Sequence, residues 1–440
     1  MFRYVILVVA LAQLASIEGA WQSSAATTFK SSLRKTPTTS TTSTTTTTTT
    51  TTTTPPPTTT TEAIEPLKEN EAAENPDEEL LLAFVLNRHG ERTPDEDELS
   101  LSNEKEKLQE YIDIDGYEGL INVGKQRVYH LGKFLRERYG PDGLKLLNRL
   151  YYHKDIALRS TNKERTKMTA EIAMAAVYPP EPEQQWGEGL GSLWQPIPYT
   201  TVPLAEDYLR FYTNCKPYKT LMAKAKVDAI HEELAPYGDL IDLIVEKTGR
   251  NFTENPTMFQ TLFDLFRSQT GLGLSIPDWA EPIMPRLEEA ARLGYKIYFR
   301  NDQMKKIAGG VVLNDFVQAA KDIVAGKKVE QRFHMYSSHD FNLGAQIEAT
   351  KIVERDAIFP EYASLFGLEL YKNKVTGKYS VLPIYLPQAG EENELFHLHF
   401  EACEDTTYCD LDKFLTSTRQ YLMTEKQFYQ TCGIKTELGN

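Results

Sequence analysis

Residues 80–94 read LLLAFVLNRHGERTP, an apolar run that ends in two arginines and a histidine, Arg88, His89 and Arg92. Two planar guanidiniums beside an imidazole suit an oxyanion: each guanidinium can offer it paired hydrogen bonds, and the imidazole can attack it or move protons. Gly90 leaves space beside His89 and lets the backbone turn tightly. The theme recurs twice. Arg159 opens the polar run Arg159-Ser160-Thr161-Asn162-Lys163-Glu164-Arg165-Thr166 after apolar residues 156–158, and His339-Asp340 follows residues 333–336 through Ser337-Ser338.

The elements that must position these groups are legible from periodicity. Short continuous apolar runs suit strands buried on both faces of a sheet, and open α/β sheets place ligands outside the carboxyl ends of their strands. Residues 124–139 read as a helix, with Val128, Leu131 and Leu135 on one face and Gly140-Pro141 as its stop. A second helix runs through Met168, Ile172 and Ala176, with Ser160 or Thr161 as its cap. A third follows Gly309-Gly310 through Val312, Phe316 and Ala319, and residues 342–347 form a fourth. Residues 368–371 and 379–385 read as a hairpin closing one edge. From about 208 to 293 the pattern turns helical and amphipathic. The expected fold class is therefore α/β: a mostly parallel sheet flanked by helices, with a smaller, mainly helical cap inserted over its C-terminal edge. The core would occupy residues 80–207 and 294–440, and the cap residues 208–293.

The segment Arg88-His89-Gly90-Glu91-Arg92-Thr93-Pro94 resembles the RHGxRxP signature of the histidine acid phosphatases, within the histidine phosphatase superfamily. The run from Arg159 resembles that family's RSTDxxRT, with Asn162 in place of Asp, and residues 120–124 its LTxxG, with Ile121 in place of Thr. The His339-Asp340 pair, residues 193–198, Pro277-Asp278-Trp279-Ala280 and residues 360–364 also resemble family sequence, so the likeness runs from Leu80 to Cys432. It implies that His89 and Asp340 are catalytic and that Arg88, Arg92, Arg159 and His339 bind phosphate. It implies small phosphomonoester substrates, and it leaves room for a homodimer.

Composition bounds the partners. A formal net charge of -14 argues against nucleic acid or an anionic membrane as the main partner, so an anion must be met by a local cluster of cations. Arg3, the apolar residues 5–14 and Gly19 or Ala20 read as an export signal over residues 1–20. Its apolar core is shorter than the roughly 20 residues of a spanning helix, so cleavage is expected, with an uncleaved anchor as the alternative. The following residues 21–79 form a Thr/Pro-rich tail, O-glycosylated in an exported chain, and an acidic linker; they lack the apolar side chains that could offset ordering entropy. The expected location is secreted, with a lysosomal lumen as the alternative.

Four cysteines fit an oxidising compartment. Cys403 and Cys409 lie close and suggest a small closed loop, which leaves Cys215 for Cys432; the family resemblance implies the same pairing. Asn251-Phe252-Thr253 is an N-glycosylation acceptor. No histidine cluster has metal-ligand spacing, and neither a metal nor a cofactor is expected.

The chemistry these parts support is phosphoryl transfer. His89 attacks phosphorus, kept neutral and nucleophilic by like-charge repulsion from the arginines. Asp340 protonates the leaving oxygen and then assists water, and His339 helps orient the phosphate. Two other substrate classes use the same parts, a phytase-like and a lysophospholipid phosphatase activity. A secreted binding protein that has lost turnover is the reading from another class; it predicts missing catalytic residues.

Overall fold

The computed structural model describes residues 77–404 and 406–436. The leader, the Thr-rich tail and most of the acidic linker lie outside these residues.

Among the described residues, seven strands form one sheet: β1 (Glu78–Arg88), β2 (Ile156–Ser160), β3 (Phe333–Ser338), β4 (Leu365–Asn373), β5 (Tyr379–Leu386), β6 (Phe396–His397) and β7 (Cys409–Asp410). The order is β2-β3-β1-β4-β5-β6, with β7 also pairing β5. The parallel pairing expected of the sheet is confined to β2-β3-β1, and the remaining pairs are antiparallel. Chain connectivity explains the division. β4 and β5 are joined by a tight turn, which can only produce an antiparallel pair, whereas β1, β2 and β3 are separated by helical crossovers. The hairpin therefore lies beside β1, inside the sheet, and β6 and β7 cover its outer strand.

Because β1 is central, both its faces are covered. Leu82, Phe84 and Leu86 enter one apolar core, and Ala83 and Val85 enter the other. Burying each of the larger side chains is worth about 1.5 to 3 kcal/mol, enough to fix the register that brings Arg88 opposite Ser338 at the strand ends.

The helices that matter for the site are α1 (Glu96–Leu101), α2 (Asn122–Tyr139), α3 (Glu164–Val177), α4 (Lys216–Glu232), α5 (Met258–Gly271), α6 (Met284–Lys296), α7 (Asp302–Val324), α8 (Asp340–Ala349) and α9 (Glu425–Cys432). Helices α2 and α3 back one face of the sheet; α4 to α8 supply the core of the other. No described strand falls between β2 and β3, so residues 208–293 are helical and turn structure throughout. Helix α7 starts before Gly309 and Gly310 rather than after them. A Cβ at Gly309 would stand 2.4 Å from the Ala345 carbonyl oxygen, so the absent side chain lets α7 and α8 touch. Disulfides join Cys215 to Cys432 and Cys403 to Cys409, the first tying the start of α4 to the end of α9. No helix among the described residues is long and apolar enough to cross a membrane.

Candidate active site

The carboxyl ends of β1, β2 and β3 converge on one cavity of about 250 Å³. From β1 and the loop after it come Arg88, His89 and Arg92; from the junction of β3 and α8 come His339 and Asp340. The loop is held by two glycines in backbone contact. A Cβ on Gly90 would lie 2.5 Å from the Gly124 carbonyl oxygen, and one on Gly124 2.3 Å from the Glu91 carbonyl oxygen. Close approach, rather than a turn that needs positive φ, is what Gly90 supplies.

His89 is buried, and its Nδ1 lies 2.8 Å from the Gly90 carbonyl oxygen. A carbonyl can only accept, so Nδ1 carries the proton and Nε2 keeps its lone pair. Burial, then the charges of Arg165, His339, Arg88 and Arg92, holds the His89 pKa well below the usual histidine value, so the ring stays neutral in acid. The rings of His89 and His339 stand 5.6 Å apart.

Arg88 donates to the Pro360 carbonyl at 2.8 Å and bridges Asp264 at 3.3 Å and Asp340 at 3.4 Å. Its guanidinium lies 4.2 Å from the Tyr362 ring centroid. Arg92 is held in a two-pronged pair with Glu98 of α1, at 2.6 and 2.7 Å. Glu98 also accepts from the Asp95 N–H in a capping box, so the cap of α1 and the aim of Arg92 depend on one carboxylate. Asp340 receives Gln260 Nε2 at 3.2 Å and its own helix's Phe341 N–H at 2.9 Å.

Arg159 does not join them. Alternation along β2 turns it from the face that Leu158 and Ser160 enter, and its Nη2 pairs with Asp207 at 2.6 Å while its guanidinium stacks 3.9 Å from the Tyr208 ring centroid. The run brings two other cations to the cavity, Lys163 and, six residues on from Arg159 in the first turn of α3, the buried Arg165. Its Nη2 lies 3.0 Å from Glu118 and 3.3 Å from His339 Nδ1. Burial draws its pKa down more than Glu118 restores it, which leaves a cation that would gain from an arriving anion. Glu118 itself, despite burial, is held down to about 2 by Arg165, Lys163 and Arg92.

An arginine can only donate, so His339 Nδ1 accepts, and its Nε2 bonds the Thr161 hydroxyl at 3.0 Å. His339 thus steadies Arg165, and it would need a proton on Nδ1 to donate to phosphate itself. Burial, then Arg165, Arg210, Lys163 and Arg88, keeps its pKa well below normal. Thr161, expected to cap α3, is committed to this histidine; Lys163 occupies the N-cap without a side-chain bond.

Sequence reasoning also missed Gln260 and Asp264. They lie four residues apart on α5, and with Ser268 they form a buried polar stripe on a helix that otherwise buries Phe259, Leu262, Phe263, Leu265 and Phe266. Ser268 donates to the Arg92 carbonyl, so this stripe grips the loop after β1. A polar line at helical spacing through an apolar face was the available signal.

The profile of the histidine phosphatase superfamily (branch 2) matches residues 79–381. The chain is 32% identical over 352 residues to the venom acid phosphatase Acph-1 of Apis mellifera, covering 77% of this chain and 84% of that one. It is 29% identical over 347 residues to the prostatic acid phosphatase of Homo sapiens, covering 76% and 84%. Among solved structures, the phytase of Klebsiella sp ASR1 superposes with a TM-score of 0.58 at 16% identity, over 79% of this chain and 95% of that one; this likeness concerns the fold.

Proposed function

Because the chain belongs to branch 2 of the histidine phosphatase superfamily, we propose that this acid phosphatase hydrolyses phosphate monoesters through a phosphohistidine on His89, with Asp340 as proton donor. One observation carries the reading. His89 has its Nδ1 proton committed to Gly90, so Nε2 is the free nitrogen on a cavity that also holds Arg88, Arg92, Arg165, His339 and Asp340.

The ester phosphate enters among Arg88, Arg92 and Arg165, whose charge-assisted bonds are each worth roughly 1.5 to 3 kcal/mol. They hold phosphorus before His89 Nε2 and offset charge on the equatorial oxygens in the transition state. The Nε2 lone pair forms the N–P bond as the ester P–O bond breaks, and the Asp340 proton goes to the departing oxygen. Water then attacks the phosphohistidine, Asp340 takes its proton, and inorganic phosphate leaves. Arg165 takes the phosphate-binding role that the resemblance had given to Arg159.

The two disulfides suit an oxidising compartment, and we place the mature enzyme outside the cytosol. Asn251 lies exposed on a loop, as its use as a glycan acceptor requires. The test is turnover of phenyl phosphate with kcat/KM persisting below pH 6.5, since a histidine with lowered pKa stays unprotonated there. Asp340→Asn should lower kcat about 10²- to 10⁴-fold on phenyl phosphate and far less on an ester with a very acidic leaving alcohol. Equal losses on both esters would remove Asp340 from the proton-donor role.

A further inference from the structure

The cations around the phosphate centre have counter-charges: Arg88 has Asp264 and Asp340, Arg92 has Glu98, and Arg165 and Lys163 share Glu118. Arg210 is different. It lines the same cavity, yet no described carboxylate lies within ion-pairing distance of it and no described acceptor takes its guanidinium; its Nε, like those of Arg88 and Arg165, is buried without a hydrogen-bond partner. Its guanidinium carbon rests 5.0 Å from the Tyr212 ring centroid. Asp207, three residues earlier, gives its Oδ1 to Arg159 and to the Leu209 N–H and feels the Arg210 charge only from beyond ion-pairing distance.

The position of Arg210 is fixed from both sides. Asp207 caps the turn Tyr208–Arg210, and Asn342 of α8 donates to the Leu209 carbonyl at 2.8 Å. Asn342 also accepts the His339 N–H, so the peptide just before Arg210 is tied to the helix turn that carries His339 and Asp340. The charge is felt there: Arg210 follows burial and Arg165 among the causes that lower the His339 pKa. A half-buried guanidinium without an ion-pair partner, lining the cavity that also holds His339 and Asp340, is a costly arrangement unless an anion visits it.

Resting on the phosphatase reading, we propose that Arg210 is a specificity residue that receives a second acidic group on the substrate, so that phosphate monoesters carrying an additional carboxylate or phosphate are preferred over esters of uncharged alcohols. The transferred phosphoryl group is held by the arginines of the centre; the second anion meets the planar donors of Arg210, which match either a carboxylate or a phosphate.

The test compares phenyl phosphate with 3- and 4-carboxyphenyl phosphate and with the bisphosphates of benzene-1,3- and 1,4-diol, at pH 6, where the added groups are ionised. The wild-type protein should show higher kcat/KM on at least one acidic ester, carried by KM, with the advantage shrinking as salt is added; the carboxylate and bisphosphate arms show which anion fits. In Arg210→Gln the ratio of kcat/KM for that ester to kcat/KM for phenyl phosphate should fall about tenfold or more, and Arg210→Lys should restore part of it. An unchanged ratio in Arg210→Gln overturns the proposal, as does equal loss on all esters. If Arg210→Gln does not fold, the wild-type panel decides, and no advantage for any acidic ester overturns the proposal. No turnover of any ester by the wild-type protein would overturn the phosphatase reading and, with it, the role given to Arg210.

Discussion

Two buried clusters of arginine and carboxylate sit on opposite halves of the sheet, and they are built to different standards of completeness. On the antiparallel half, Glu369 of β4 receives Arg138 through Nε and Nη2 at 2.7 and 2.6 Å, the Tyr139 hydroxyl at 2.7 Å and the Tyr371 hydroxyl at 2.8 Å. Burial alone would raise the Glu369 pKa, but Arg138 and these hydrogen bonds hold it below the usual carboxylate range. At the ends of the parallel strands, Arg88 divides one nitrogen between two aspartates, and the buried Nε atoms of Arg88 and Arg165 have no partner. The first cluster is closed and supports the fold. The second leaves donors unmatched, and under the proposed function these are the donors that an arriving phosphate would meet.

The contrast can be broken by mutation. Arg165→Met should lower kcat/KM for phenyl phosphate by about 10²- to 10³-fold, the loss of at least one charge-assisted bond in the transition state, with little loss of stability. Arg159→Met, six residues earlier in the same run, should cost less than about tenfold in kcat/KM, because its guanidinium serves Asp207 and Tyr208; equal losses in the two variants would refute the assignment of Arg165 over Arg159. Arg138→Met should do the reverse of Arg165→Met. Leaving Glu369 buried without its cation should cost about 3 to 5 kcal/mol of unfolding free energy by urea titration, while protein that remains folded keeps its KM.

The smallest effect concerns acid. Glu118 falls from an ordinary carboxyl value of 4.5 to about 2 on folding, so the unfolded chain binds its proton more readily. Its contribution to stability should be fully present above about pH 4.5 and fade as pH falls through about 2. The difference in urea midpoint between the wild type and Glu118→Gln, followed from pH 6 to pH 2.5, should shrink towards the acid end. A gap that widens there would mean that Glu118 is not held by Arg165 and Lys163.

What the sequence made legible follows the physics of strands. Arg88, His89, His339 and Asp340 stand where apolar runs stop, and a buried run that stops in charge can only deliver it to a strand end. Arg159 satisfied the same rule, yet its side chain lies on Asp207 and Tyr208 and not in the cavity, because alternation decides which face of the sheet a residue enters and two neighbouring residues of one motif can serve different environments. Arg165 lies past the strand, in the first turn of a helix, so its place in the cavity follows from a strand-to-helix turn rather than from hydrophobic pattern. Asp264, far along the chain, reaches Arg88 only through the packing of α5 over the sheet; the polar line on α5 could mark it as buried, but short-range pattern does not name the partner it meets. The parallel share of the sheet was overestimated for a related reason: strand type was inferred from apolar runs, which do not record direction.

The proposed mechanism stands or falls on covalent phosphorylation of the His89 imidazole. Rapid quenching of the enzyme during turnover of a phosphate ester labelled in its phosphoryl group, followed by peptide mapping under alkaline conditions, tests it most directly. Acid-labile, alkali-stable phosphate should appear on the peptide containing His89 and none on the corresponding peptide of His89→Ala. Label on His339, or turnover with no phosphorylated protein at any quench time while His89→Ala remains active, would contradict it.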